Sequence, residues 1–117
     1  NGPQDAGRQS RGGSMNISEQ YRVAVVSTGH VKKEDAELLD KVCNDDLSGQ
    51  GLFWIEKNRY GWILRISATE QWRVELTRAG ISASALDNIA ALNGAGFDWI
   101  WFDRDAEQVP ELTVWEW

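Results

Sequence analysis

Seven tryptophans in 117 residues constrain this chain more than any other feature of its sequence. Four of them lie in the last nineteen positions, in two aromatic blocks at 97–105 and 112–117. Because a tryptophan ring is costly to leave in water and carries one polar N–H, tryptophans collect in cores, at interfaces and on stacking surfaces. The sequence therefore predicts a fold built around buried aromatic rings. It contains no complete catalytic or cofactor motif.

Composition divides the chain into a tail and one domain. Residues 1–14 are rich in Gly, Gln, Ser and Arg without apolar periodicity, so we interpret them as a cloning scar or translated upstream sequence. Residues 15–117 then form a single domain. The net charge of −6 disfavours binding to a nucleic-acid phosphate backbone, which needs clustered Lys and Arg. Without a run of membrane-spanning length or a signal peptide after Met15, we expect a cytoplasmic bacterial protein.

Hydrophobic periodicity predicts strands and helices in alternation. A continuous β-branched run at 22–27 is typical of a strand buried on both faces, in the centre of a sheet. Apolar residues at helical spacing predict three helices, the second capped by Ser67 and Glu70 and the third by Ser84. These helices are expected at 33–44, 67–79 and 84–93.

The remaining segments predict a loop at 45–51 and four further strands. The strands are expected at 52–57, 61–66, 97–102 and 112–115, the first two forming a hairpin and the last an edge strand. Gly61 is expected at a strained turn position of that hairpin. The sequence thus predicts an α+β fold with a mainly antiparallel sheet of four to five strands and helices on one face, in an order that suits a ferredoxin-like unit.

Three segments together resemble a known family: 26–31, 60–62, and 101–106 with the aromatic residues that follow it. They are similar to an uncharacterised family of small bacterial proteins, a domain of unknown function met mostly on plasmids and other mobile elements. The resemblance spans nearly the whole chain after Met15. It implies a mobile-element setting and no established activity.

His30 is the only histidine, and Asp103 and Asp105 follow a strand that we expect beside it. If both strands end at one sheet edge, His30 and an aspartate form a general-base pair for a small hydrolase-like enzyme. The three side chains also suit a divalent ion, although Asp-x-Asp is common in turns. We favour a structural His30 that hydrogen-bonds a nearby carbonyl or carboxylate, so that His30→Ala costs about 1 kcal/mol. On this interpretation the chain has no catalytic residue, metal site or cofactor.

The aromatic residues divide by position into two sets. The set whose spacing matches buried faces comprises Trp62, Trp72, Trp99 and Phe102. The set that we expect to line an exposed patch or groove lies at the hairpin and the terminus and comprises Trp54, Tyr60, Trp115 and Trp117. Base stacking would also need cations that the chain lacks, so a protein partner fits better, first of all a second copy of the chain.

These observations predict a non-enzymatic binding protein, an accessory factor of a mobile genetic element, that forms a homodimer through the edge strand at 112–115. Two alternatives remain open. One is the small enzyme built on His30 with Asp103 or Asp105. The other is an acidic decoy that mimics DNA, which needs carboxylates arrayed along one face.

Overall fold

The computed structural model describes residues 15–44 and 48–117. The segment interpreted as a tail, 1–14, lies outside the described residues, as do residues 45–47 of the predicted loop. The elements of the described part are β1 Val23–Ser27, α1 Lys33–Val42, β2 Ile55–Asn58, β3 Gly61–Leu64, α2 Trp72–Ala79, α3 Ala83–Gly94 and β4 Trp99–Asp103. Two short 3-10 helices, Thr28–His30 and Ile66–Ala68, follow β1 and β3. The predicted α+β fold is confirmed.

The four strands form one mixed sheet in the order β1-β4-β3-β2. β1 runs parallel to β4, with Val23 opposite Trp99 and Ser27 opposite Asp103. β4 pairs antiparallel with β3, and β3 with β2. The prediction of a mainly antiparallel sheet is therefore corrected to a mixed one, because β4 returns from the helices in the direction of β1. The direct pairing of these two strands does not confirm the ferredoxin-like arrangement, and it leaves β1 at an edge instead of the centre.

The inner face of the sheet carries the core. Side chains alternate between the faces of a strand, and the buried members of each strand join buried helix residues in a single hydrophobic cluster. Its strand members are Ala24, Val26, Ile55, Trp62, Leu64, Ile100 and Phe102, and its helix members are Ala36, Leu39, Leu76, Ala85, Leu86, Ile89 and Leu92. The three helices thus cover this face.

The outer face of the sheet carries apolar side chains that no helix covers in the described part. Strand pairing places Val23, Val25, Ile63, Trp99 and Trp101 on this face. Val23 and Val25 are exposed, which contradicts the expectation that this run is buried on both sides. Alternate exposure of β1 follows from its position on a sheet with helices on one face only.

Helix boundaries depend on polar groups that periodicity does not reveal. The buried Asp35 carboxylate accepts hydrogen bonds from the N–H of Lys32 at 3.0 Å and from the N–H and hydroxyl of Ser82, each at 2.8 Å. The Ser82 hydroxyl in turn accepts from the N–H of Ala85, so Ser82 and not Ser84 caps α3. One carboxylate thereby joins the N-termini of α1 and α3.

Two further predictions about local structure are wrong. Ser67 lies in the 3-10 helix Ile66–Ala68, and α2 begins only at Trp72, so Ser67 and Glu70 cap no helix. Gly61 lies within β3 without a positive φ. Glycine is needed there because a Cβ atom would lie 1.7 Å from the carbonyl oxygen of Phe102 on β4. None of the helices within 15–44 and 48–117 combines the length and the apolar character needed to cross a bilayer.

Candidate functional site

The candidate site lies at the sheet edge where β1 and β4 both end. Ser27 and Asp103, the last residues of the two parallel strands, are paired, and Gly61 at the start of β3 lies opposite Asp103. The segments that leave this edge are the 3-10 helix after β1, the turn between β2 and β3, and the chain after β4. Ligands of sheets with parallel strands commonly bind outside the carboxyl ends of those strands.

A cavity of about 300 Å³ opens at this edge, and we name it the aromatic groove. One wall is formed by α1, through Lys33, Ala36, Glu37 and Asp40. These residues are spaced i, i+3, i+4 and i+7 and therefore lie on one face of the helix. The opposite wall is the β2–β3 hairpin from 57 to 62, and Thr28, Arg104 and Trp117 complete the groove.

A hydrogen-bonded carboxylate joins the two walls. Asp40 Oδ1 accepts from the indole Nε1 of Trp62 at 3.0 Å and from the ammonium of Lys57. The Lys57 ammonium also lies 5.3 Å from the centre of the Trp62 ring. Asp40 and Lys57 therefore neutralise each other, and they fix α1 against the hairpin.

Three further cations line the groove without a carboxylate partner. Within the described residues, Lys33, Arg59 and Arg104 form no ion pair, and neither does Glu37. The Arg104 guanidinium lies 5.3 Å from the centre of the Tyr60 ring, a cation–π arrangement. The groove is therefore positively charged in a chain whose net charge is −6.

Of the four predicted binding aromatics, the structure brings two into the groove. Tyr60 is 38% exposed and Trp117 is 55% exposed, and both line it. The indole N–H of Trp117 donates to the carbonyl of Val31 at 3.0 Å, which fixes one edge of the ring. Trp115 lines a neighbouring hollow of about 450 Å³ that shares Thr28, Arg104 and Trp117 with the groove.

The prediction that Trp54 lines an exposed surface is wrong. Its side chain is fully buried in the core. The indole N–H donates to the Glu75 carboxylate on α2 at 2.5 Å. The position of Trp54 next to the hairpin did not indicate exposure, because the residue precedes β2 and packs in the hydrophobic core beside α2.

His30 is fully buried, and both of its ring nitrogens bind backbone groups. Nδ1 lies 2.9 Å from the carbonyl oxygen of Thr113, and Nε2 accepts from the N–H of Val109 at 2.9 Å. The proton is therefore assigned to Nδ1. Asp103 instead accepts a hydrogen bond from the backbone N–H of Asp105 at 2.8 Å, as in an aspartate-stabilised turn.

His30 therefore does not form the general-base pair with Asp103 or Asp105. Its ring nitrogens bind backbone groups near the C-terminus instead. Within residues 15–44 and 48–117 no group of three or more His, Cys, Asp or Glu side chains is placed to hold a metal ion. A general base needs a ring nitrogen within reach of the substrate proton. In this structure both nitrogens are already occupied.

Asn88 is a structural residue that sequence reasoning missed. It is buried on α3, and its Nδ2 donates to the carbonyls of His30 and Thr113, each at 2.9 Å. Its Oδ1 accepts from the N–H of Thr113 at 3.1 Å. The sequence signal for this role is an asparagine on the apolar side of a predicted helix, since a buried polar side chain needs hydrogen-bond partners.

Residues 106–117, the C-terminal segment, form no strand, so the predicted edge strand at 112–115 is absent. The backbone groups of this segment bind His30 and Asn88, and the N–H of Trp115 donates to the carbonyl of Gly29 at 2.8 Å. They do not form a ladder with a neighbouring strand. This segment therefore does not offer the free edge on which the dimer prediction relied.

A family model described as "Family of unknown function (DUF5983) C-terminal domain" matches residues 23–117. The chain belongs to this family. The resemblance to a family of unknown function is thereby confirmed, and the matched part includes every strand and helix described above. No curated protein and no solved structure matches the chain. The description of DUF5983 names no activity.

Proposed function

We propose that this DUF5983 protein is a non-enzymatic binding protein whose ligand occupies the aromatic groove. The observation that carries the proposal is the combination of exposed rings and unpaired cations in one cavity. An exposed indole is costly in water, and neighbouring cations repel one another. A ligand with an apolar surface and negative charge relieves both, so the groove favours binding of such a ligand.

The two alternatives receive less support. The hydrolase-like enzyme needs a base, but the ring nitrogens of His30 hold Thr113 and Val109. The acidic decoy needs an array of carboxylates, whereas the cavity at the sheet edge has the opposite charge. Neither alternative explains why Tyr60 and Trp117 share a cavity with three cations that have no ion-pair partner among the described residues.

The test is a thermal-shift screen of the purified protein against nucleotides, sugar phosphates, amino acids and short peptides. A ligand that binds only the folded state stabilises it by about 2.7 kcal/mol at a hundredfold excess over its Kd. We expect at least one class to raise the Tm, and Arg104→Gln to abolish that shift. Arg78→Gln, on the exposed side of α2, is the matched control because it removes the same charge outside the groove. A screen without any shift, or a shift unaffected by Arg104→Gln, refutes the groove as the binding site.

We also propose that a second copy of the chain covers the outer face of the sheet, which moves the expected homodimer to a different surface. Val25 is 50% exposed there, and Tyr21 stacks on Trp99 at 5.0 Å. A hydrogen bond from its hydroxyl to the Glu19 carboxylate raises the pKa of Tyr21. The same face carries the ion pair Arg65–Glu56 at 3.2 Å, so two copies related by a twofold axis can exchange these partners.

Light scattering tests this dimer at micromolar concentration. We expect twice the monomer mass for the parent and the monomer mass for Val25→Lys. Val74→Lys is the control, because Val74 is similarly exposed but lies on α2. A parent that stays monomeric across the concentration range contradicts the proposal.

The resemblance further supports a proposed accessory role on a mobile element in the bacterial cytoplasm. Deleting the gene from its element and measuring maintenance and transfer frequency tests this role. We expect one of the two to fall. Unchanged maintenance and transfer would refute it.

A further inference from the structure

We infer that the aromatic groove binds a mononucleotide, that is, a flat base on a ribose that carries a phosphate monoester. This inference rests on the proposed function and names its ligand class. Four properties of the groove support it: its charge, its exposed ring, its unpaired carboxylate and its size.

The charge of the groove matches one phosphate monoester. Lys33, Arg59 and Arg104 are opposed by the single unpaired carboxylate of Glu37, since Asp40 and Lys57 neutralise each other. The side chains that line the groove therefore carry an excess of two positive charges. A phosphate monoester carries about −1.5 to −2 at pH 7. Guanidinium groups also bind phosphate oxygens with two parallel hydrogen bonds, so we assign the phosphate to the arginines.

Trp117 is the ring that we assign to base stacking. It is the more exposed of the two groove rings, and its hydrogen bond to Val31 fixes the indole by its edge, which leaves the faces of the ring available. Tyr60 already has the guanidinium of Arg104 over its ring. Stacking one base on an aromatic side chain contributes about 5- to 150-fold in affinity.

Glu37 favours a ribose over other phosphorylated ligands. Its exposed carboxylate lies one helical turn beyond Lys33 and has no ion-pair partner among the described residues. A carboxylate at that position accepts hydrogen bonds from sugar hydroxyls, the role that acidic residues have beside the ribose in dinucleotide-binding folds. A phosphotyrosine side chain offers no such hydroxyls.

The size of the groove favours one nucleotide over a strand. A volume of about 300 Å³ is at the small end of ligand pockets, which span roughly 300–1,000 Å³. An extended strand would place further phosphates outside the groove, on a chain whose net charge is −6. The free nucleotide is therefore preferred to the terminal nucleotide of a strand.

Calorimetric titration tests the inference with AMP, GMP, CMP and UMP, and with adenosine, ribose 5-phosphate and inorganic phosphate as partial ligands. We expect at least one mononucleotide to bind the protein, and ribose 5-phosphate to bind the protein at least about fivefold more weakly than that mononucleotide. Trp117→Leu should reduce nucleotide affinity about fivefold or more and leave the affinity for ribose 5-phosphate unchanged. Trp117→Phe, which retains a ring, should restore most of the affinity and shows that the loss is not caused by unfolding.

The cation variants separate phosphate binding from stacking. Arg59→Gln and Arg104→Gln should weaken nucleotide and ribose 5-phosphate alike, whereas Arg78→Gln should weaken neither. A decanucleotide and a phosphotyrosine peptide are the last two ligands in the titration. Tighter binding of either one than of every mononucleotide overturns the inference, as does equal binding of inorganic phosphate. If no nucleotide binds but another class in the thermal-shift screen does so through Arg104, the inference fails and the proposed function stands.

Discussion

Replacing His30 by alanine tests whether this buried ring fastens the C-terminal segment to the domain. The variant removes a donor to the carbonyl of Thr113 and an acceptor for the N–H of Val109. It also leaves space in the core, because the imidazole is fully buried. A sequence-based value of about 1 kcal/mol counts one hydrogen bond only.

The structure gives a larger magnitude for this substitution. Each hydrogen bond contributes about 0.5–1.5 kcal/mol, and large-to-small substitutions of buried side chains cost about 2–5 kcal/mol in total. Two features lower the sum: Thr113 keeps Asn88 as a donor, and Val109 is near enough to the surface for water to replace the ring. We therefore expect His30→Ala to lower the free energy of unfolding by about 3 kcal/mol.

Urea unfolding followed by circular dichroism measures this loss, and His30→Gln is the control. Glutamine has both N–H donors and an acceptor oxygen, so it should recover part of the stability. Because His30 and Asn88 both bind Thr113, the double variant with Asn88→Ala should depart from additivity by at least 0.5 kcal/mol, roughly the limit for independent sites. A loss below 1 kcal/mol for His30→Ala, or strict additivity, would refute the assignment of His30 as a structural clamp.

Urea unfolding of four further variants tests the fold. Asp35→Ala removes the acceptor of three hydrogen bonds and should lower the free energy of unfolding by about 3 kcal/mol. Ser82→Ala removes one of these hydrogen bonds and the cap of α3, so it should cost about 1 kcal/mol. Equal costs would contradict the network. Gly61→Ala forces β3 away from the Phe102 carbonyl and should cost more than 3 kcal/mol; a neutral effect would contradict the close approach. Gly80→Ala should cost about 1 kcal/mol, since Gly80 ends α2 at φ 97°; a stabilised variant would contradict the left-handed cap.

The sequence by itself determined part of the local structure of this protein. The apolar spacing of 33–44 predicted α1 to within two residues of its end, and Gly80 marked the end of α2. The runs on either side of 58–60 predicted the β2–β3 hairpin. These features could be predicted because helix periodicity, glycine conformation and short turns depend on residues that are close along the chain.

Only the tertiary structure decided how the strands pair and which apolar residues are buried. The β-branched run of β1 suits a central strand as well as an edge, and pairing with β4 places it at an edge with Val25 exposed. The aromatic pattern at 112–115 is typical of a strand, yet its backbone groups bind His30 and Asn88. Periodicity reports which faces of an element are apolar, but not which neighbour covers them.

The aromatic groove shows most clearly the difference between what the sequence determined and what the tertiary structure decided. Lys33, Arg59 and Arg104 are far apart in the sequence, and the acidic net charge gave no reason to expect them together. They converge because β1 and β4 are parallel and end at one edge, beside the hairpin turn and α1. Trp54 and Trp117 are the same residue type, yet one is buried in the core and the other lines a cavity. Convergence and burial of this kind depend on long-range contacts, whose free energies no local pattern encodes.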